Sequence, residues 1–280
     1  MIHLSKFPES IKRPLRPVRE FYRLNTSGLR TLPSSLIVGA QRAGTTTLFN
    51  YLVEHPDIKF PFKKEVHFFD FRYHQGEDWY RSRFCYKFCL GKRGTTLEAS
   101  PYYMVHPLVP ERVADILPAA KIIMLLRNPV DRALSQYHHN VRHGREELTF
   151  EEALEMEDKR LAGEVEALEN DENYYSYNHH RYAYILRGRY IDHIEKWLRF
   201  FDKENLLLIQ AEKMFTEPNA ICSKIFDFLN LSGYTVRNIK HHHKASYDRN
   251  ISPESYEVFL SYFKESNQRL FDFLGYEYDW

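Results

Sequence analysis

The chain has 280 residues, 43% hydrophobic and 28% charged, which is ordinary soluble composition with enough apolar material for one substantial core, so one domain is the default. Lys and Arg number 39 against 38 Asp and Glu, and a formal net charge of +1 excludes an overall field that would draw nucleic acid or a membrane; anion binding must be local. Three cysteines, Cys85, Cys89 and Cys222, are an odd number in a chain too large to need stapling, which argues against a disulfide framework, and no second Cys/His pair stands at metal-ligand spacing.

The first 33 residues are basic and proline-bearing (Lys12, Arg13, Pro14, Arg16, Pro17, Arg19) without the apolar stretch of a signal peptide, and no run reaches the ~20 apolar residues of a membrane span. Residues 1–33 therefore read as an extension and 34–280 as the domain, with a cytoplasmic location expected and a Golgi-lumen enzyme lacking its anchor as the alternative. Ser35 to Ala40 reads as a strand and Thr45 to Glu54 as the helix behind it, stopped at His55-Pro56 because proline disfavours helix in the residue before it. Thr95 to Ala99, Lys121 to Leu126 and Leu206 to Ile209 are further short apolar runs between helical patterns, and that alternation predicts a parallel sheet. Asn128-Pro129 opens a helix running to about His143, Glu151 to Glu172 reads as an acidic solvated helix, and Thr216 to Leu231 and Pro253 to Leu274 complete the set, the last capped by Ser252. The expected fold is a single three-layer α/β domain, P-loop-like, with a central parallel sheet flanked by helices.

Between the first strand and its helix lies Gly39-Ala40-Gln41-Arg42-Ala43-Gly44-Thr45-Thr46-Thr47, a glycine turn that opens a helix with hydroxyls where a phosphate would sit. Against the pattern G-x-x-x-x-G-K-[ST] both glycines fit, but Thr45 holds the lysine position and the cation is Arg42, inside the loop. Without that lysine the loop is poorly suited to γ-phosphate transfer with magnesium, and a kinase or other nucleotide-binding protein on this fold becomes the weaker reading. A 5′-phosphosulfate, with less charge to neutralise, fits better, and no metal is required.

The turn resembles the 5′-phosphosulfate loop of sulfotransferases that use 3′-phosphoadenosine 5′-phosphosulfate (PAPS). Lys64-Glu65-Val66-His67-Phe68-Phe69-Asp70 resembles the K-E-x-H-F-F-D stretch of the carbohydrate branch, related to the heparan sulfate sulfotransferases. Leu125 to Ser135 is similar to the family's 3′-phosphate motif, and Glu98 to Tyr102 and Leu270 to Trp280 also have counterparts, so the resemblance runs from about residue 34 to the end. It implies that PAPS binds through Gln41, Arg42, Ala43, Gly44, Thr45, Thr46 and Thr47 on one side and Arg127 and Ser135 on the other, leaving adenosine 3′,5′-bisphosphate as product. It also implies Glu65 as general base, with His67 orienting the substrate or assisting and Asp70 holding His67 in one tautomer. An extended backbone would put Glu65 and His67 on the same side. Arg42 stands where most members carry lysine and would stabilise the developing charge on the bridging oxygen without donating a proton.

Several residues have plainer readings. Arg127 can pair with Asp131, Glu65 can be a surface ion-pair partner of Lys63 or Lys64, His67 can be a core histidine, and Arg132 is expected to be exposed. Ala99 replaces a substrate-contacting lysine of the heparan-type enzymes, so a heavily sulfated acceptor is not implied. Lys63, Lys64, Arg72, Arg81 and Arg83 are candidates for an acceptor groove, Tyr174, Tyr175, Tyr177, Tyr182 and Tyr184 for cleft-lining or packing, and Lys244 and Ser246, beside His241 to His243, for a loop over the 3′-phosphate. The expected activity is sulfonyl transfer to a hydroxyl-bearing acceptor, a carbohydrate or glycolipid, with a hydroxylated acyl chain or natural-product alcohol as the alternative.

Overall fold

Short apolar runs separated by helices can bury both faces only as neighbours in one covered sheet, and the computed structural model, which describes residues 9–239 and 252–280, has that arrangement. Its strands are β1 (Ser35–Gly39), β2 (Ile58–Lys59), β3 (Thr95–Ala99), β4 (Lys121–Leu126) and β5 (Leu206–Gln210), ordered β2-β3-β1-β4-β5 and all parallel. β1 and β3 are buried along their whole length, as a parallel strand covered on both faces requires. Ile37 lies opposite Ala99, the last residue of β3, on one side and Ile123 on the other, while β1 runs on to Gly39, opposite Met124, and β4 to Leu126. The neighbours of β1 lie on opposite sides of it, which opens a crevice at the carboxyl ends of these strands. β2 escapes a pattern reading because two residues carry no alternation.

The remaining differences from the sequence reading have local causes. The acidic stretch is three short helices, Phe150–Glu155, Glu157–Leu161 and Glu164–Asn170, with Gly163 at φ +75° before the third. It is not simply a solvated face. Glu157 is buried, and its carboxylate accepts the backbone N–H groups of Tyr184, Ile185 and Leu186. Pro218 starts a new helix, Pro218–Phe228, after Ala211–Thr216, and the closing helical segment is Pro253–Ser261 followed by Lys264–Leu274. The Ser252 hydroxyl caps the former by accepting the N–H of Ser255 at 3.1 Å. Among the described residues no helix is long and apolar enough to cross a membrane.

Candidate active site

The loop expected to hold a phosphate is built by glycines that no other residue replaces cheaply. A Cβ on Gly39 would lie 2.5 Å from the Cβ of Met104, and Gly44 sits at φ +97° with Phe215 and Met214 closing over it. Gly44 is also the N-cap of the Thr45–Leu52 helix and has no side chain to cap with, so the first-turn amides are left for an external acceptor. Arg42 too is left-handed, at φ +71°, a conformation that costs a non-glycine residue on the order of 1–3 kcal/mol and recurs at ligand clamps. Ala43 is buried, and of the three threonines only Thr46 is exposed.

The two segments expected to bind phosphate meet. Arg42 Nε donates to Ser135 Oγ at 3.1 Å across 93 residues of sequence, and Arg127 Nη1 donates to the Arg42 carbonyl at 3.1 Å. Arg127 also stands 3.8 Å from Asp131, so it both braces the loop and makes the anticipated ion pair. Tyr190 fixes the end of β4 by donating to the Arg127 carbonyl at 2.7 Å, while Asn128 Oδ1 caps the Pro129–Arg142 helix through Val130 and Asp131. Arg132 is wholly buried, contrary to the exposed position expected of it, and donates to Gln136 and the Tyr184 carbonyl. The Gln41 side chain accepts from Arg187, a buried residue that also donates to the carbonyls of His179 and His180. Arg187 went unnoticed in the sequence, where its one signal is Gly188, a position at which a Cβ would strike Phe263 at 2.5 Å.

Lys64, Glu65, His67 and Asp70 form a continuous line of hydrogen bonds that begins at the loop. Lys64 Nζ donates to Thr46 Oγ1 at 3.1 Å and to Glu65 Oε1 at 3.3 Å. Glu65 Oε2 lies 3.1 Å from His67 Nε2, and His67 Nδ1 lies 2.6 Å from Asp70 Oδ2. Glu65 and His67 do converge, but not through an extended backbone: His67 is left-handed at φ +54°, and its N–H is held by Ser100 Oγ at 3.3 Å. Burial pulls the His67 pKa down, but its hydrogen bonds to Asp70 and Glu65 outweigh that and push it up to about 9. With its pKa raised, the ring is protonated at neutral pH and donates from both nitrogens, to Asp70 and to Glu65. Burial raises the Glu65 carboxyl, yet hydrogen bonding to His67 and the charge of Lys64 prevail and hold it below the usual carboxylate range.

Under this line sits Glu98, wholly buried at the end of β3. Its carboxylate accepts from Ser100 Oγ at 2.8 Å, from Tyr103 at 2.9 Å, and from Tyr80. Burial pushes its pKa up to about 7, against the lowering effect of those three hydroxyls. Ser100 holds the N–H of His67 and Tyr103 those of Phe68 and Phe69, so Glu98 positions the segment carrying Glu65, His67 and Asp70. A ring path leads outward from His67, which stacks on Phe71 at 5.1 Å, to Tyr175, 5.3 Å from Phe71 and partly exposed along with Tyr174 and Tyr177. Tyr184 is instead core. Lys244 and Ser246, with His241 to His243, lie outside the described residues. Among the described residues no cluster of three or more His, Cys, Asp or Glu side chains could hold a metal ion.

Residues 32–271 match the model of the sulfotransferase domain family. The chain is 30% identical over 224 residues to mouse heparan sulfate glucosamine 3-O-sulfotransferase 3B1, covering 80% of this chain and 52% of that one. It is 25% identical over 317 residues to the membrane-associated sulfotransferase kil1 of Dictyostelium discoideum, covering 90% of this chain and 67% of that one. It thus spans about two thirds of the latter and about half of the former. A sulfotransferase from Alicyclobacillus acidocaldarius superposes with a TM-score of 0.72 at 30% identity, over 89% of this chain and 98% of that one.

Proposed function

The chain belongs to the sulfotransferase domain family, and on that premise we propose that it moves the sulfonyl group of PAPS to a hydroxyl of a carbohydrate or glycolipid-type acceptor. The observation that carries this reading is the unbroken line Thr46–Lys64–Glu65–His67–Asp70, which sets a carboxylate beside a ready-made anion cradle. The amides opening the Thr45–Leu52 helix suit the 5′-phosphosulfate, where orphan N–H groups and the helix dipole favour an anion. Arg127 and Ser135, with Arg42 turned toward Ser135, suit the 3′-phosphate through charge-assisted donors.

In the transfer, Glu65 takes the acceptor's hydroxyl proton, the acceptor oxygen forms its bond to sulfur, and the sulfur–oxygen bond to the 5′-phosphate breaks, leaving its charge on adenosine 3′,5′-bisphosphate. Because Arg42 points toward Ser135, the ammonium best placed near that leaving oxygen is Lys64, supplied from outside the loop. An incoming phosphosulfate would draw Lys64 away from Glu65, removing one of the cations that depress the carboxyl and making it a better base. His67, already protonated, relays nothing; held by Asp70, it orients Glu65. The partly exposed tyrosines at the end of the ring path suit a sugar, whose apolar faces lie flat on aromatic rings, and the 30% identity to a heparan sulfate enzyme supports the same acceptor class.

The test is turnover of sulfur-labelled PAPS over a panel of glycans, glycolipids and simple alcohols, with a chelator present. Labelled sugar product without metal supports the reading. Label on none of these acceptors, or transfer only from ATP with magnesium, would overturn it. In parallel, adenosine 3′,5′-bisphosphate at a hundred times Kd should add about 2.7 kcal/mol of stability, visible on melting, and AMP much less.

A further inference from the structure

The Glu9–Asn25 helix is seated with its polar side against the domain and its apolar side outward, the reverse of what a surface helix does. Glu20 pairs with Arg83, and the Arg23 guanidinium lies 4.0 Å over the Phe62 ring, so charged residues make the contact with the domain. Leu15, Val18 and Tyr22, at helical spacing, face solvent with Phe21; Val18 is 65% exposed and Phe21 70%. The patch continues off the helix. The Tyr86 hydroxyl donates to Tyr22 at 2.7 Å, Tyr86 stacks on Phe88 at 5.2 Å, and Phe88 is 82% exposed.

The charge around this patch is mainly positive, with Asp78, which accepts from the Ser27 hydroxyl at 2.8 Å, as a nearby exposed acid. The Glu9–Asn25 helix holds five Lys and Arg against Glu9 and Glu20, and residues 84–97 hold three Lys and Arg with no acid. Arg16, Lys87, Lys92 and Arg93 are exposed, while Glu20 is taken up by Arg83. The overall charge of +1 conceals this asymmetry, because the balancing acids lie elsewhere. A second copy of the chain, meeting this face with its own, would oppose cation to cation. An anionic lipid surface complements both features at once, accepting Phe and Val side chains at the acyl boundary and Lys and Arg at the headgroups.

We propose that the Glu9–Asn25 helix and the Phe88 turn dock this protein in the plane of a membrane carrying anionic lipids. The helix ends beside Phe62, two residues before Lys64, so docking brings the mouth of the candidate site to the headgroup layer. The claim concerns lipid binding and does not depend on which acceptor is sulfated.

The experiment is co-sedimentation of the full chain with vesicles of phosphatidylcholine alone and of phosphatidylcholine with phosphatidylserine, at low and high salt. Binding is expected on the anionic vesicles, much less on the neutral ones, and weaker at high salt. The triple variant Val18→Asp, Phe21→Asp, Phe88→Asp alters three exposed side chains and should melt as the wild type does. It should bind the anionic vesicles at least about a hundredfold more weakly, while turnover with a soluble acceptor stays unchanged. Failure of the wild type to sediment with anionic vesicles at low salt, or equal sedimentation of variant and wild type, overturns the proposal. So does a lipid-free dimer in analytical ultracentrifugation that the triple variant abolishes, since the face would then belong to a second copy.

Discussion

Replacing Glu65 by Gln keeps the side chain's shape, removes its charge, and tests two separable properties. The first is transfer: loss of a positioned base lowers turnover by roughly 10²- to 10⁴-fold, with nucleotide binding nearly intact. The second is the pH dependence of stability. His67 keeps its proton to about 9 instead of 6.5, because the hydrogen bonds to Asp70 and Glu65 outweigh the lowering effect of burial. With the folded-state value above the unfolded one, the stabilisation is fully present below pH 6.5 and is lost as pH rises through about 9. At ~1.36 kcal/mol per pH unit it amounts to about 3 kcal/mol. Asp70, wholly buried and 2.6 Å away, is the stronger partner, and Glu65, partly exposed at 3.1 Å, the weaker. The variant should forfeit the smaller share, about 1 kcal/mol, or roughly 2–4 °C of melting temperature for a chain of this size. Thermal melts of both proteins below pH 6.5 and above pH 9 measure it: the drop in Tm across that interval should be smaller by that amount in the variant. Groups common to both proteins cancel in the comparison. Near-wild-type turnover would move the base to another residue, and an unchanged drop in Tm would mean that Glu65 does not hold the imidazolium.

Arg127→Ala should abolish the preference for adenosine 3′,5′-bisphosphate over AMP in thermal-shift titrations, and a retained preference would place the 3′-phosphate elsewhere. Lys64→Ala should cost on the order of 10²- to 10³-fold in kcat with little change in nucleotide affinity, whereas Arg42→Ala should weaken the nucleotide more than the transfer step; the reverse pattern would return the leaving-oxygen role to Arg42. Glu98→Gln should remove the penalty of ionising a buried acid, so the variant's Tm relative to wild type should rise between pH 4.5 and about 7, and a flat difference would show that Glu98 does not titrate in that interval.

Much of the fold was legible because it rests on local rules. Apolar runs flanked by helices determine parallel strands, Gly39 and Gly44 determine a turn that tolerates no Cβ, and Asn128-Pro129 determines a capped helix start, each from a few adjacent residues. That Glu65, His67 and Asp70 come together was legible for the same reason, since all three lie within one short segment. What tertiary structure alone decided is which partner each charged side chain finds. Arg42 meets Ser135 from 93 positions away, Lys64 reaches Thr46, Arg132 and Glu157 go inside, and Arg187 braces Gln41. A long, flexible cation looks the same in sequence whether it ends in water, on a carbonyl or beside a carboxylate, because its free energy is set by neighbours that the chain brings from elsewhere. The N-terminal helix makes the same point in reverse: its sequence determines an apolar face and a basic one, and only the seating of Glu20 on Arg83 decides that the apolar face looks outward.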